Sequence, residues 1–456
     1  MTTSFFTKAA RPALALLGLG AGLAGCQVNV DSNGPAPSAG SADFTSYVAV
    51  GNSLTSGYTD GGLFNEGQAT SYPAILAQQF AKTGKGPASF VQPAFSSAKK
   101  DGSGYIKLQA VNGALAPVQP TAANNYLGEQ VARTGNALPG GDQLEAYSGN
   151  QPDNLGVPGI SVLSSVSALT NGLAPYGAIN PFYERLLTTA EKTTKDYVTY
   201  IGQKSPTFFT CWMGNNDVLA YASTGGVVAA TNPFGGLTDT TRFGIGYRAI
   251  LATISKNGTV KGAVANIPNV TSVPYFNTVT VAAVLAAYKA AGLPITNIYV
   301  QALNTAGTAT AARVATATDL LTLTAQAYIA ANPGAGTSPT NAIPSTYVLD
   351  PVEAGLVTAR TTQLNAIIAK TAQRFKVPVV DANSFLTSVA NSGIYTNAVN
   401  NTATFASGNF FGLDGVHPTP RGYAIIANEW IRVINAYYGS TVPAVNANDY
   451  RGVLLP

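Results

Sequence analysis

The chain has 456 residues, 46% hydrophobic and 10% charged, against about 25% charged in an ordinary soluble domain. A large core is available, and the surface must be wetted mainly by Ser, Thr, Asn, Gln and Gly. The formal charge of +4, with no basic block, argues against nucleic acid as a partner, and one histidine with two cysteines leaves too few ligands for a transition-metal site. Residues 1–26 read as an export signal: Lys8 and Arg11 are its charged head and ALALLGLGAGLA, 13–24, its apolar stretch. Those twelve residues would rise about 18 Å as a helix, short of the ~30 Å of a hydrocarbon core, so they are read as a signal peptide and not as a span. Gly20, Gly22 and Gly25 fit the dinucleotide pattern Gly-x-Gly-x-x-Gly, but no strand precedes them, and no cofactor is expected.

The signal ends in Leu23-Ala24-Gly25-Cys26, which resembles the lipobox of bacterial lipoproteins. That resemblance implies diacylation of Cys26, a mature N-terminus at that residue and a membrane tether held by more than one acyl chain. Gln27 stands where an inner-membrane retention signal has Asp, which directs the protein to the outer membrane. With Cys26 acylated, Cys211 has no partner for an intramolecular disulfide. It sits in an apolar run and is expected to be buried and inert, and the fold must be held by its core. Residues 27–42, QVNVDSNGPAPSAGSA, have no periodicity and read as a flexible tether.

The folded part is placed at 43–442, with 443–456 as a C-terminal tail. SYVAV opens it as a short strand that runs through Gly51 into Asn52-Ser53. A helix follows at 71–80, where Tyr72, Ile75, Leu76 and Phe80 recur at helical spacing. Residues 82–150 are rich in Gly, Ala, Asn and Ser and read as a long irregular insertion. Three continuous apolar runs, 206–213, 260–268 and 376–383, read as strands covered on both faces. Leu364, Ile367, Ile368 and Phe375 line one helical face before the last of them. Tyr423, Ile426, Trp430, Val433 and Tyr437 line another after it, with Pro420 near the helix start and Gly439 past its end. Residues 278–345, rich in Ala and Thr, read as a second insertion, a helical lid in character. Strands alternating with helices predict an α/β fold, a parallel sheet with helices on both faces.

Serine is a weak nucleophile and needs a base. Histidine serves, since an ordinary pKa near 6.5 lets it take and return a proton, and His417 is the only histidine in the chain. Asp414, three residues before it in GLDGVHPTP, can orient the ring from a Gly-flanked turn. In WMGNNDV, Asn215 or Asn216 can offer an amide donor to an oxyanion, an interaction worth about 2.7–4 kcal/mol. In NLGVPG, Gly159 can offer a backbone N–H. Asp60 in YTDGG and Asp381 after a strand are read as turn and cap residues. No Gly-x-Ser-x-Gly elbow occurs, which argues against the α/β-hydrolase fold.

Taken in order, VGNSLTSG, NLGVPG, GNND and DGVHPT resemble the blocks of the SGNH, or GDSL-type, esterase/lipase superfamily. The resemblance spans about 43–440. It implies a three-layer αβα sandwich of flavodoxin-like type carrying long insertions at 82–150 and 278–345. It makes Ser53 the nucleophile, with Asp414 and His417 completing a catalytic triad. The oxyanion hole falls to Ser53, Gly159 and Asn216, which chooses Asn216 over Asn215. Asn52 replaces the family's usual Asp. The implied activity is hydrolysis of carboxylic esters of the lipase or carboxylesterase kind, through an acyl-enzyme and without metal or cofactor. A polysaccharide O-acetylesterase is the alternative, and a non-catalytic lipoprotein that binds glycan or lipid on this scaffold is a second.

Overall fold

The computed structural model describes residues 35–456, apart from 112–113, 119–130, 139–140, 167–179, 193, 231 and 304–309. Cys26 and residues 27–34 of the expected tether lie outside the described residues; at its other end Ala39 and Ala42 are buried and Ser41 N–H donates to Tyr438 O at 2.9 Å, so that end packs on the fold and is not a free tether. Pro37–Pro456 form one compact unit.

Four strands make the central sheet: β1 (Tyr47–Gly51), β2 (Phe208–Trp212), β3 (Lys261–Ala265) and β4 (Val379–Val380), in that spatial order. All neighbours are parallel. β1 and β2 are buried along their whole length, as continuous apolar runs must be when helices cover both faces. β4 is shorter than expected, because Asp381 already caps the helix Ala382–Ser392 through Ser384 N–H at 3.1 Å.

A fifth segment completes the sheet. Along the free edge of β1, Ala49 N–H donates to Asp153 O at 2.9 Å, Leu155 N–H to Ala49 O at 2.8 Å and Val157 N–H to Gly51 O at 3.0 Å. Residues 153–157 thus run as a parallel edge, and the order by position in the chain becomes 2-1-3-4-5. This is the flavodoxin-like order, whose switch point lies between the first strand and the third, where the connections leave in opposite directions and open a crevice.

The helices divide between the two faces. On one, Tyr47 packs edge-on to Phe80 of α1 (Tyr72–Ala81), and Trp212 meets Tyr72 and Trp430 of α4 (Pro420–Tyr438). On the other, α2 (Thr240–Ile254) packs against α3 (Pro351–Phe375). α3 starts with a full capping box: Asp350 accepts from Glu353 N–H while the Glu353 carboxylate accepts from Asp350 N–H. α4 starts at Pro420, with Thr419 accepting from Gly422 N–H, and stops at Gly439 in the left-handed conformation, φ 61°. Its buried stripe differs from the expected one. Ile434 and Tyr438 are buried, whereas Tyr437 is 52% exposed. Steps of four from Trp430 hold the stripe on the sheet, and the steps of three that led to Val433 leave it.

Both insertions are more ordered than their composition suggested. Within 82–150, Lys107–Val111 pairs with Ala114–Val118 and Arg133–Leu138 with Gly141–Leu144, all antiparallel. Within 278–345, helices Val281–Ala290 and Leu323–Ala331 accompany an antiparallel pair, Tyr299–Leu303 with Thr310–Val314. Ile298, Val300, Leu321, Ala325 and Ile343 give this segment a small core of its own, so it is mixed α and β and not purely helical. Among the described residues, no helix is long and apolar enough to cross a membrane.

Trp430 is fully buried, stacked on Tyr72 at 5.1 Å, and its indole N–H has no partner among the described residues. Trp430→Ala is expected to lower unfolding free energy by about 3–5 kcal/mol in urea titration. Trp430→Phe, which keeps the stack and removes an unpaired donor, should cost less than half as much.

Candidate active site

Gly51 ends β1, and a Cβ placed there would stand 2.0 Å from Thr55 Oγ1. The chain can turn this tightly only without a side chain. Asn52 then caps a single helical turn, Ser53–Ser56: its Oδ1 accepts from Leu54 N–H at 3.1 Å. The cap needs one acceptor oxygen, which an amide supplies as well as a carboxylate does, so Asn52 serves where Asp is usual. Ser53 stands at the first position of this turn, 7% exposed, at the carboxyl end of the sheet beside the switch point.

The turn that carries His417 is organised by one carboxylate. Asp414 Oδ1 accepts from the backbone N–H of Val416 and of His417, both at 2.8 Å. Its Oδ2 accepts from Gly61 N–H at 2.7 Å and meets His417 Nδ1 at 2.9 Å. An ionised carboxylate only accepts, so Nδ1 carries the hydrogen and Nε2 is left as the acceptor. Nε2 lies 2.8 Å from Ser53 Oγ, across 364 positions of chain. Burial alone would raise the Asp414 carboxyl. The neighbouring imidazole and the hydrogen bonds from His417 and Val416 outweigh it and hold the pKa below its ordinary value of 3.8. With the folded value depressed, this carboxylate contributes stability above pH 3.8 that is lost as pH falls through the lower folded value.

Tyr58 and Asp60 brace the imidazole turn from the first loop. The Tyr58 ring lies 4.7 Å from the His417 ring, and its hydroxyl donates to Gly61 O at 2.6 Å. Asp60 adopts a left-handed φ of 50°, and its Oδ1 accepts from Leu413 N–H at 2.8 Å. It is a turn residue, as expected, but one that ties the loop after Ser53 to the turn before His417. Arg451, in the tail, approaches its Oδ2 at 3.7 Å. Burial pushes the Asp60 carboxyl up to about 6, opposed by the Leu413 N–H and Arg451.

The amide side of the site starts after β2. Gly214 turns the chain at φ 115°, and Asn216 opens the helix Asn216–Ser223. Asn216 Nδ2 donates to Ile160 O at 2.8 Å, one residue beyond Gly159, which is exposed at a left-handed φ of 80°. Asp217, fully buried, accepts from Val162 N–H at 2.8 Å and Leu163 N–H at 3.3 Å. Burial raises its carboxyl to about 6 against those bonds. Asn216 and Asp217 therefore hold the loop that bears Gly159.

Ser53, His417 and Asn216 line one narrow cavity of about 30 Å³. Its walls are apolar, with Leu219, Val270, Val273, Leu386, Phe411 and Val416 among them, and Asn215 as a further polar member. Gly159 lies outside this lining, on the neighbouring loop. A hydroxyl, a base in the right tautomer, a carboxylate behind it and an amide donor at one mouth are the parts that acyl transfer needs. Cys211 is fully buried, with its thiol pKa pushed up by desolvation, which suits a packing role. Among the described residues, no three His, Cys, Asp or Glu side chains cluster as metal ligands do.

A family model described as GDSL-like Lipase/Acylhydrolase matches residues 47–430, and no curated protein matches the chain. The chain belongs to the GDSL-like lipase/acylhydrolase family. Asp217→Asn is expected to lower kcat tenfold or more, because an amide N–H₂ must then face a backbone N–H and the Gly159 loop shifts. In the native protein the folded pKa of Asp217, about 6, exceeds the ordinary 3.8. Its contribution to stability is therefore fully present below pH 3.8 and lost as pH rises to about 6. Thermal melts of Asp217→Asn should show that part of the pH dependence removed.

Proposed function

From membership of the acylhydrolase family, we propose that this protein is a serine esterase with Ser53 as nucleophile. The observation that carries the reading is the unbroken chain Ser53 Oγ, His417 Nε2, His417 Nδ1, Asp414 Oδ2, with contacts of 2.8 and 2.9 Å. As Ser53 Oγ attacks the ester carbonyl, its proton passes to His417 Nε2, and Asp414 stabilises the imidazolium that forms. The Ser53 and Gly159 N–H groups and the Asn216 side chain hold the oxyanion. When the tetrahedral intermediate collapses, the imidazolium gives its proton to the leaving alcohol. Water then attacks the acyl-enzyme by the same route and frees the acid.

The size of the cavity supports short acyl groups. About 30 Å³ is room for roughly two or three water-sized groups at ~10–15 Å³ each. Acetyl to butyryl esters fit, and the same observation favours polysaccharide O-acetyl groups as the second reading. The lipobox resemblance adds a tether: Cys26, diacylated, anchors the enzyme to the bacterial envelope, and Gln27 favours the outer membrane.

Ser53→Ala should lower turnover by several orders of magnitude and abolish labelling by a fluorophosphonate probe. Retention of more than a tenth of the activity would remove Ser53 as nucleophile, and an unlabelled native protein would favour a non-catalytic binding lipoprotein. In a p-nitrophenyl series from acetyl to palmitoyl, run beside an acetylated glycan, activity is expected to peak between acetyl and butyryl. A palmitoyl maximum contradicts the short-chain reading. Cys26→Ala should move the protein from the membrane fraction to the soluble one.

A further inference from the structure

The side chain of Asn215 is 4% exposed, and neither its Nδ2 nor its Oδ1 has a hydrogen-bond partner among the described residues. It is the one amide there with both ends unpaired. The position is unusual too. Asn215 stands just before the helix Asn216–Ser223, where an asparagine ordinarily caps, yet it has helical φ and ψ of −61° and −43° and makes no cap bond. A buried polar group that pairs with nothing loses hydration without return, and an apolar residue would serve packing better than this amide does.

Asn215 lines the cavity next to Ser53. Apart from Ser53, Asn216 and His417 the other walls are apolar, and no Lys or Arg is among them. A carboxylate would therefore find no lysine or arginine partner. An amide presents one donor and one acceptor side by side, and a hydroxyl satisfies both at once, donating to Oδ1 and accepting from Nδ2. A ketone satisfies the donor alone, and a plain hydrocarbon neither.

We infer that Asn215 is a specificity residue that binds a hydroxyl carried on a short aliphatic part of the ester substrate. The inference rests on the esterase reading for the identity of the substrate. The hydroxyl can belong to the acyl part, as in a hydroxyacyl ester, or to the alcohol part, as in the monoester of a diol.

Two pairs of probes separate these sources. Ethyl 2-, 3- and 4-hydroxybutyrate against ethyl butyrate test the acyl part, and 2-hydroxyethyl butyrate against ethyl butyrate tests the alcohol part. The native enzyme is expected to favour a hydroxylated ester in one arm by about tenfold or more in kcat/KM, and Asn215→Leu to bring that ratio close to one. The melting temperature of Asn215→Leu should not fall, since no protein hydrogen bond is broken; a large fall would assign the amide a structural role and overturn the inference. Equal loss of kcat on every ester with the ratio unchanged would place Asn215 among the oxyanion donors and overturn it as well, as would a native ratio near one in both arms. The same probes bound to Ser53→Ala and to Ser53→Ala/Asn215→Leu, measured by calorimetry, need no turnover. Failure of the esterase reading appears as absent hydrolysis by the native chain, and failure of this inference as absent hydroxyl preference in binding.

Discussion

The site depends on a single buried carboxylate with all its lone-pair directions used. Asp414 takes four N–H donors, from Gly61, Val416 and the backbone and ring of His417. Two of these close the imidazole turn on itself, one ties it to the loop after Ser53, and one fixes which ring nitrogen bears the hydrogen. Orientation and tautomer are thus set by the same group. Without it, nothing in the turn would set which ring nitrogen faces Ser53. Asp60, bonded to Leu413, doubles the link between the two loops from the other direction.

A second brace holds the loop proposed to bear an oxyanion donor. The loop bearing Gly159 leaves the edge segment 153–157, and Asn216 and Asp217 clamp it through Ile160, Val162 and Leu163. Ser53 and Asn216 follow β1 and β2, the neighbours on either side of the switch point, so the sheet order itself brings them together. A 2-1-3-4-5 sheet opens its crevice there because successive connections diverge, and the narrow apolar cavity lies in it.

The candidate site was legible in the sequence because it is written in scarce residue types. With one histidine, a serine mechanism has a single possible base, and Asp414 lies close enough in the chain to be found by spacing. Central strands and α4 were legible from apolar runs and helical periodicity. The edge segment 153–157 was not: Asn154, Gly156 and Pro158 break any strand pattern, and its pairing is specified by β1. The hairpins in 82–150 were hidden for a related reason, since Gly, Ala and Asn give no alternation to read. Asp60 was recognisable as a turn residue, but its bond to Leu413 crosses 353 positions and leaves no local mark. The unpaired state of Asn215 is likewise a property of its surroundings, invisible in the string GNND.

With one histidine in the chain, selective ¹⁵N-histidine labelling gives a spectrum that belongs to His417 alone, and it tests the central claim directly. At pH 8 the account requires the neutral ring to be held as the Nδ1–H tautomer, with Nε2 unprotonated and facing Ser53, and this preference to disappear in Asp414→Ala. An Nε2–H tautomer in the native protein, or a ring that averages between the two forms as free imidazole does, would contradict it.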